Sequence, residues 1–187
     1  EKLDQLETIV NRVLSFARSS ETPHREWDLS EVIENTLLLI RLKLEQSKIR
    51  LQFSPPASPV IVEGNKGQLE QVFLNLIINA VQAMRDGGDL SIEIAIEKRS
   101  GPLSAVVRIS DTGCGIPPKL EAKVFEFFLS GNEKGSGLGL AIVRRILDSH
   151  RGHVDIERSD SSGTVMKVTL PLAEKKKFGE GFLVLSS

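Results

Sequence analysis

The stretch DTGCGIP, residues 111–117, begins where an alternating apolar segment ends. That segment, Ala105 to Ser110, is typical of a strand, so Asp111 is expected at a strand end. Gly113 and Gly115 lack a Cβ, which lets the atoms of another molecule approach the backbone beside the carboxylate. Taken alone, the stretch predicts no more than a tight turn, and its meaning depends on the segments around it.

A long helix is predicted upstream, over residues 67–85, with one apolar stripe and one polar flank. Asn75, Asn79 and Gln82 recur at i, i+4 and i+7, which places them within about 60° of one another. Amide oxygens are suitable ligands for Mg²⁺, which also binds waters and substrate phosphates. The alternative is a hydrogen-bonded polar edge, which is the commoner role of a lone asparagine pair.

Downstream, the glycine-rich run GSGLGLAIV at 135–143 opens a helix predicted to end at Ser149. Free N–H groups and the helix dipole at such a start favour a phosphate. The run does not fit a dinucleotide-binding fingerprint, because a loop and not a strand precedes it. No Lys-Ser/Thr pair follows the glycines either, so it is not a Walker A loop.

The remaining elements are predicted as a helix and five further strands, in addition to the strand that ends before Asp111. The helix covers residues 28–47, and the strands cover residues 49–53, 60–62, 90–96, 153–158 and 164–170, the third of them pairing with 105–110. Hairpin-connected strands with helices on one face indicate an α+β fold, a two-layer α/β sandwich.

Composition narrows the class of protein. The 187 residues include 24 Lys+Arg and 25 Asp+Glu, a net charge of −1, which argues against a nucleic-acid partner or a polybasic membrane binder. A single cysteine excludes an internal disulfide framework. No signal peptide or membrane-spanning run is seen, so we expect a cytoplasmic domain. Because the chain starts at Glu1, we expect a fragment of a longer protein, whose membrane attachment the sequence leaves open.

Residues 1–19 carry a coiled-coil-like seam. Its apolar residues are Leu3, Leu6, Val10, Val13 and Ala17. A lone helix of this length is marginal in water, so it is expected to form half of a bundle, or alternatively to pack on its own domain. We expect a linker at 20–27, the main domain at 28–172, and a tail at 173–187 that is either a solvated end or a docking strand.

Four segments, in this order along the chain, resemble the N, G1, F and G2 boxes of the catalytic domain of sensor histidine kinases, in their nitrogen-regulation-like branch. The segments are NLIINA (75–80), DTGCGIP (111–117), VFEFFLS (124–130) and GSGLGLAIV (135–143). The resemblance implies the Bergerat ATP-binding fold, with a mixed, mostly antiparallel sheet. It also implies phosphoryl transfer from ATP to a histidine on a dimerisation hairpin, of which residues 1–19 resemble the second helix.

The resemblance also implies roles for single residues. Asp111 would accept a hydrogen bond from the adenine amine, Asn79 would bind Mg²⁺, and Asn75 would lie near the phosphates. Thr164 would reach the adenine through water. The other residues implied to line the ATP site are Gln82, Gly113, Gly115, Ile116, Lys134, Gly135, Ser136, Gly137, Leu138, Gly139 and Leu140. The implied partners are ATP or ADP, the chain's own hairpin, a response regulator receiver domain and, in the longer protein, a second copy.

This chain departs from the branch before the G2 glycines. Where the branch usually reads EPFFTTK, residues 126–132 read EFFLSGN, so a proline and a phosphate-reaching lysine are missing. Lys134 is the candidate substitute for that lysine. The resemblance therefore implies three catalytic residues, Asn75, Asn79 and Lys134. The alternative function is therefore a catalytically silent signalling module of the same fold. A chaperone or topoisomerase relative is disfavoured, because those proteins carry a glutamate where this chain has Asn75.

None of the three histidines is expected to be the phosphoacceptor, which in the resembled family lies on the first hairpin helix. His24 falls in the linker. His150 and His153 flank Gly152 at a helix end. Without a third ligand they predict a cationic helix cap or a surface role in preference to a metal site.

Overall fold

The computed structural model describes residues 24–98, 102–121, 123–125 and 139–173. Four helices and seven strands lie in these ranges: β1 (Arg25–Asp28), α1 (Leu29–Gln46), β2 (Ile49–Phe53), β3 (Ile61–Gly64), α2 (Lys66–Ala83), β4 (Gly88–Lys98), β5 (Leu103–Asp111), α3 (Pro118–Glu121), α4 (Gly139–Ser149), β6 (His153–Asp160) and β7 (Gly163–Pro171). In the described ranges, no helix is both long and apolar enough to cross a membrane.

Five strands form the main sheet in the order β2-β4-β5-β7-β6. Only the β2–β4 pair is parallel, and the other three pairs are antiparallel. The helices α1, α2 and α4 pack together and against the sheet. The predicted α+β two-layer sandwich with a mixed, mostly antiparallel sheet is confirmed.

The core lies between the two layers, because the core residues of β4 and β7 alternate along each strand and the core residues of each long helix follow one stripe. Phe73 and Leu76 of α2 face Leu90 of β4 and Ile109 of β5 across this core, and all are at most 1% exposed. Asp28 and Asn65 cap α1 and α2 by accepting from the backbone N–H of Ser30 and Gln68. Both helices therefore begin where a side chain satisfies a free N–H group.

Residues 25–27, which were predicted to belong to the linker at 20–27, lie in β1. This strand pairs antiparallel with β3, outside the main sheet. Trp27 explains the difference, since its ring packs against the core and its Nε1–H donates to the carbonyl of Gly64 at 3.2 Å. The predicted seam at residues 1–19 and the tail beyond Ala173 lie outside the described residues.

The outer face of the sheet, on the side away from the helices, carries an ion-pair cluster. Lys167 of β7 is 3% exposed, and its Nζ lies 2.8 Å from Glu97 Oε2 and 3.5 Å from Glu157 Oε1. Arg108 of β5 contacts the same two carboxylates. These cations lower the pKa of both glutamates, because hydrogen bonds to the charged form stabilise it.

Candidate active site: a buried carboxylate and an amide stripe

Asp111 ends β5 and is 6% exposed. Its Oδ1 accepts two hydrogen bonds from the backbone N–H groups of Gly113 at 2.8 Å and Thr164 at 3.3 Å. Burial raises the pKa of the carboxyl, and the two N–H donors oppose that shift. Neither donor uses Oδ2, so the second oxygen is available to a hydrogen-bond donor on a ligand.

The loop after Asp111 lies between the end of α2 and the end of β6. A Cβ at Gly113 would lie 2.6 Å from the Cβ of Ala83, so this glycine lets the loop pack on the end of α2. Gly115 has φ of +71°, and a Cβ there would lie 2.1 Å from the carbonyl oxygen of Asp160. Glycine is therefore required at Gly115 by both conformation and space. The predicted turn therefore packs closely against the end of α2 and the end of β6.

The β6–β7 end supplies two further contacts to this loop. Thr164 is 4% exposed and lies opposite Asp111 in the antiparallel register. The backbone N–H of Ile116 donates to Ser159 Oγ at 2.8 Å. Thr164 and Ile116 are among the predicted site residues, whereas Ser159 is not, because no local pattern shows which serine on a distant strand reaches the loop. Thr112 was also missed, although its Oγ1 accepts from the N–H of Asp89 at 3.0 Å.

The amide stripe of α2 runs from the core to the surface. Asn75 is 6% exposed, Asn79 is half-buried and Gln82 is exposed. Among the buried side-chain polar atoms of the described residues, Asn75 Nδ2 is the one without a hydrogen-bond partner. An unpartnered buried donor is unfavourable and is expected to bind an acceptor such as a phosphate oxygen. The unpartnered amide of Asn75 does not fit the alternative of a hydrogen-bonded polar edge.

Asn79 connects the stripe to the start of α4. A Cβ built at Gly139 would lie 3.8 Å from Asn79 Oδ1 and 4.0 Å from Asn79 Nδ2. The amide oxygen of Asn79 and the N-terminus of α4 therefore border the same space. That oxygen is the type of donor that Mg²⁺ prefers, so the residue fits the metal role that the resemblance implies.

The described part of the G2 segment begins at Gly139. Leu140 packs against the core from the first turn of α4. The predicted nucleotide contacts Lys134, Gly135, Ser136, Gly137 and Leu138 lie outside the described residues. Of the predicted site residues, the structure thus brings one group together around Asp111 and another around Asn79.

His150 is buried, so the predicted surface role is wrong for it, and its lowered pKa disfavours the predicted cationic one. It is 4% exposed, its Nε2 accepts from the N–H of Asn65 at 3.0 Å, and its Nδ1 lies 2.8 Å from the carbonyl oxygen of Ile146. Burial lowers its pKa, the hydrogen bond to the Ile146 carbonyl opposes that shift, and the nearby His24, stacked at 4.7 Å between ring centroids, adds a smaller lowering. His153 is exposed beside Asp155, as a surface role predicts. In the described ranges no group of residues could hold a metal through three His, Cys, Asp or Glu side chains.

Residues 64–174 match the family described as histidine kinase-, DNA gyrase B- and HSP90-like ATPase. The chain belongs to this family. The match confirms the predicted class, the catalytic ATP-binding domain that sensor histidine kinases share with the other members. It covers the amide stripe, the Asp111 loop and α4, so the geometry above lies in the matched region.

Sporulation kinase A of Bacillus subtilis is 32% identical over 171 residues, which cover 91% of this chain and 28% of the relative. The solved structure of full-length ShkA in complex with AMPPNP is 27% identical with a TM-score of 0.71, covering 92% of this chain and 37% of that one. ThkA in complex with the response regulator protein TrrA is 28% identical with a TM-score of 0.70, covering 92% and 48%. The chain therefore spans about a quarter to a half of the length of these proteins.

Proposed function

We propose that this chain binds Mg·ATP and transfers the γ-phosphate to a histidine on a dimerisation hairpin, for relay to the receiver domain of a response regulator. The orphan Nδ2 of Asn75 carries the proposal, because a buried donor without a partner stands beside the amide that borders the start of α4. Family membership and the similarity to ShkA, solved with AMPPNP, support ATP as the ligand. The similarity to ThkA, solved with a response regulator, supports that class of partner.

The residues of the site divide the work between the two ends of the nucleotide. Asp111 Oδ2 accepts from the adenine amine, and Gly113, Gly115 and Ile116 give the base a close backbone wall, with Thr164 beside the carboxylate. Because Asp111 Oδ1 is already fixed by two N–H donors, Oδ2 is positioned before the ligand arrives. This preorganisation favours a donor in one place over solvent.

Asn75, Asn79 and Gln82 face the phosphate end. Mg²⁺ bound there with Asn79 Oδ1 as a ligand would neutralise charge on the phosphates. Lys134 and the glycine-rich segment 135–140 are the proposed donors to the triphosphate from the other side. Phosphoryl transfer depends mainly on such positioning and charge stabilisation.

The chemistry of Asn75 favours transfer to histidine over hydrolysis. An amide does not act as a general base toward water at neutral pH, so ATP hydrolysis should be slow. A histidine nucleophile is neutral over much of the physiological pH range and needs little assistance from a base. The hairpin histidine is therefore the better acceptor in this site.

Radiolabelled ATP tests this function. The chain is incubated with Mg²⁺ and a separate dimeric hairpin that contains an acceptor histidine, and a hairpin with that histidine replaced by glutamine is the control. We expect label on the first hairpin alone, lost on acid treatment as phosphohistidine is. Acid-stable label, or no transfer at millimolar ATP, would reject the kinase and favour the catalytically silent module.

The segment 1–19 is proposed as half of the dimerisation bundle of a longer protein. The supporting pattern is the seam of apolar residues at intervals of three and four. Light scattering on a protein that includes the upstream helix should report a dimer, which Leu6→Glu together with Val10→Glu should disrupt. A dimer unaffected by both changes would contradict the seam.

A further inference from the structure

The solvent face of α1 carries an apolar stripe that no described residue covers. Leu38, Leu39 and Leu42 are 69%, 72% and 72% exposed. At about 100° per residue they lie within about 100° of one another and opposite Ile40 and Leu44, which point into the core. Single exposed leucines are ordinary, but three that cluster on one helix face indicate a contact surface.

The first two turns of the same face of α1 carry acidic residues. Glu31 and Glu34 precede the leucines by one to two turns on the same side of α1. Glu31 is bonded to Lys66, whereas Glu34 is exposed and makes no ion pair with the described residues. From its N-terminus onward, the face reads acidic and then apolar.

Ala173, the last described residue before the tail, lies close to the acidic end of this face. Leu172 bridges Val62, and the N–H of Ala173 donates to the carbonyl of Ile61 at 2.9 Å. Ile61 pairs on its other side with Asp28, the residue before α1. Two strand spacings of about 4.8 Å each therefore separate the exit of the chain from the start of α1.

The residues that follow Ala173 have the complementary order. Lys175, Lys176 and Lys177 come first, and the apolar run Phe182 to Leu185 follows. Phe182 is nine residues beyond Ala173, a reach of up to about 30 Å. Leu38 is nine residues from the start of α1, or about 14 Å along its axis. The tail is thus long enough to bring the apolar run onto the leucines.

We propose that residues 174–187 bind along the solvent face of α1, with the three lysines at Glu31 and Glu34 and the apolar run on Leu38, Leu39 and Leu42. Charge attraction sets the direction of the segment, and burial of the apolar run supplies the affinity. Of the two alternatives for the tail, a solvated end or a docking strand, this arrangement corresponds to docking.

Two other occupants fit the face less well. The N-terminal segment joins the structure at His24, next to Arg25 at the far end of β1 from the start of α1. Its charged residues also alternate with its apolar ones instead of forming two blocks. A second copy packed in parallel through this face would place the acidic end of one helix against the identical acidic end of the other, which like-charge repulsion disfavours. The tail avoids both problems.

Leucine-methyl NMR on the full chain, and on a chain ending at Ala173, tests the proposal without nucleotide, so its outcome is independent of the proposed function. We expect the methyl resonances of Leu38, Leu39 and Leu42 to shift on truncation, while that of buried Leu90 stays in place. A synthetic peptide of residues 174–187 should restore the shifts. A peptide with the apolar run before the lysines should bind at least tenfold more weakly.

Matched charge reversals check the direction of binding. Glu34→Lys should weaken the peptide several-fold, whereas Glu93→Lys, on an exposed position of β4, should leave its affinity unchanged. Unchanged methyl resonances on truncation would overturn the proposal. Shifts that follow removal of residues 1–19 instead, or that depend on protein concentration, would assign the face to the N-terminal segment or to a second copy.

Discussion

Asp111→Asn separates the binding role of the carboxylate from its structural role. The variant keeps a side-chain oxygen for the N–H groups of Gly113 and Thr164, which lie 2.8 and 3.3 Å from Oδ1 in the wild type. It replaces Oδ2 by an NH₂ group, so a donor faces the adenine amine. Loss of one charge-assisted hydrogen bond should cost about 1.5–3 kcal/mol, or about tenfold to a hundredfold in nucleotide affinity.

The stability of the same variant should not fall. Burial raises the pKa of Asp111 above 3.8, so the folded state disfavours its ionised form. The stability that this group contributes is present below its unfolded pKa and is lost as pH rises through the higher folded pKa. At pH 7.5 the uncharged variant avoids that loss, and its free energy of unfolding should equal or exceed that of the wild type.

Calorimetry with Mg·ADP and urea unfolding, both at pH 7.5, measure the two quantities. Asp155→Asn is the matched control, because Asp155 is half-exposed on β6 between the core-facing residues Val154 and Ile156. It should change neither affinity nor stability by more than about 0.5 kcal/mol. Equal nucleotide affinity for the wild type and Asp111→Asn would refute the adenine contact, and a clear loss of stability would refute the argument from burial.

Three further predictions follow from the same structure. Gly115→Ala should destabilise the fold by about 1–3 kcal/mol and weaken nucleotide binding, because the added Cβ would lie 2.1 Å from the Asp160 carbonyl oxygen. Thermal unfolding measures the loss of stability. Gly67→Ala is the control, since its Cβ would lie 3.6 Å from the nearest neighbouring atom. Because the folded state lowers the pKa of His150, the stability that this residue contributes is lost as pH falls below about 6.5. Between pH 7.5 and pH 5.5, the free energy of unfolding in urea should therefore decrease more for the wild type than for His150→Gln. Lys167→Met should destabilise the fold by about 1–3 kcal/mol, because Glu97 and Glu157 lose this cationic partner. Nucleotide affinity should not change, since the cluster lies on the face of the sheet away from the helices. A change in affinity measured by calorimetry would contradict this prediction.

Much of the fold could be predicted because it depends on local patterns. The apolar stripe of α2 and the alternation in β4 and β5 repeat within a few residues, so helix, hairpin and layer order follow from periodicity. Strand β1 could not be predicted in this way. Four residues with a single apolar side chain, Trp27, carry no period, and they become a strand only because β3 offers a partner distant in sequence.

The candidate site shows the same contrast between local sequence patterns and tertiary contacts. The sequence by itself determined the chemistry: a carboxylate at a strand end, an amide stripe at helical spacing and glycines at a helix start, all of which are local in the chain. Only the tertiary structure decided which of these groups meet and in what state. Asn79 borders Gly139, Ser159 accepts a hydrogen bond from Ile116, and burial lowers the pKa of His150. Contacts between residues 40 to 60 positions apart, and the desolvation that shifts a pKa, arise from packing, which no local spacing encodes.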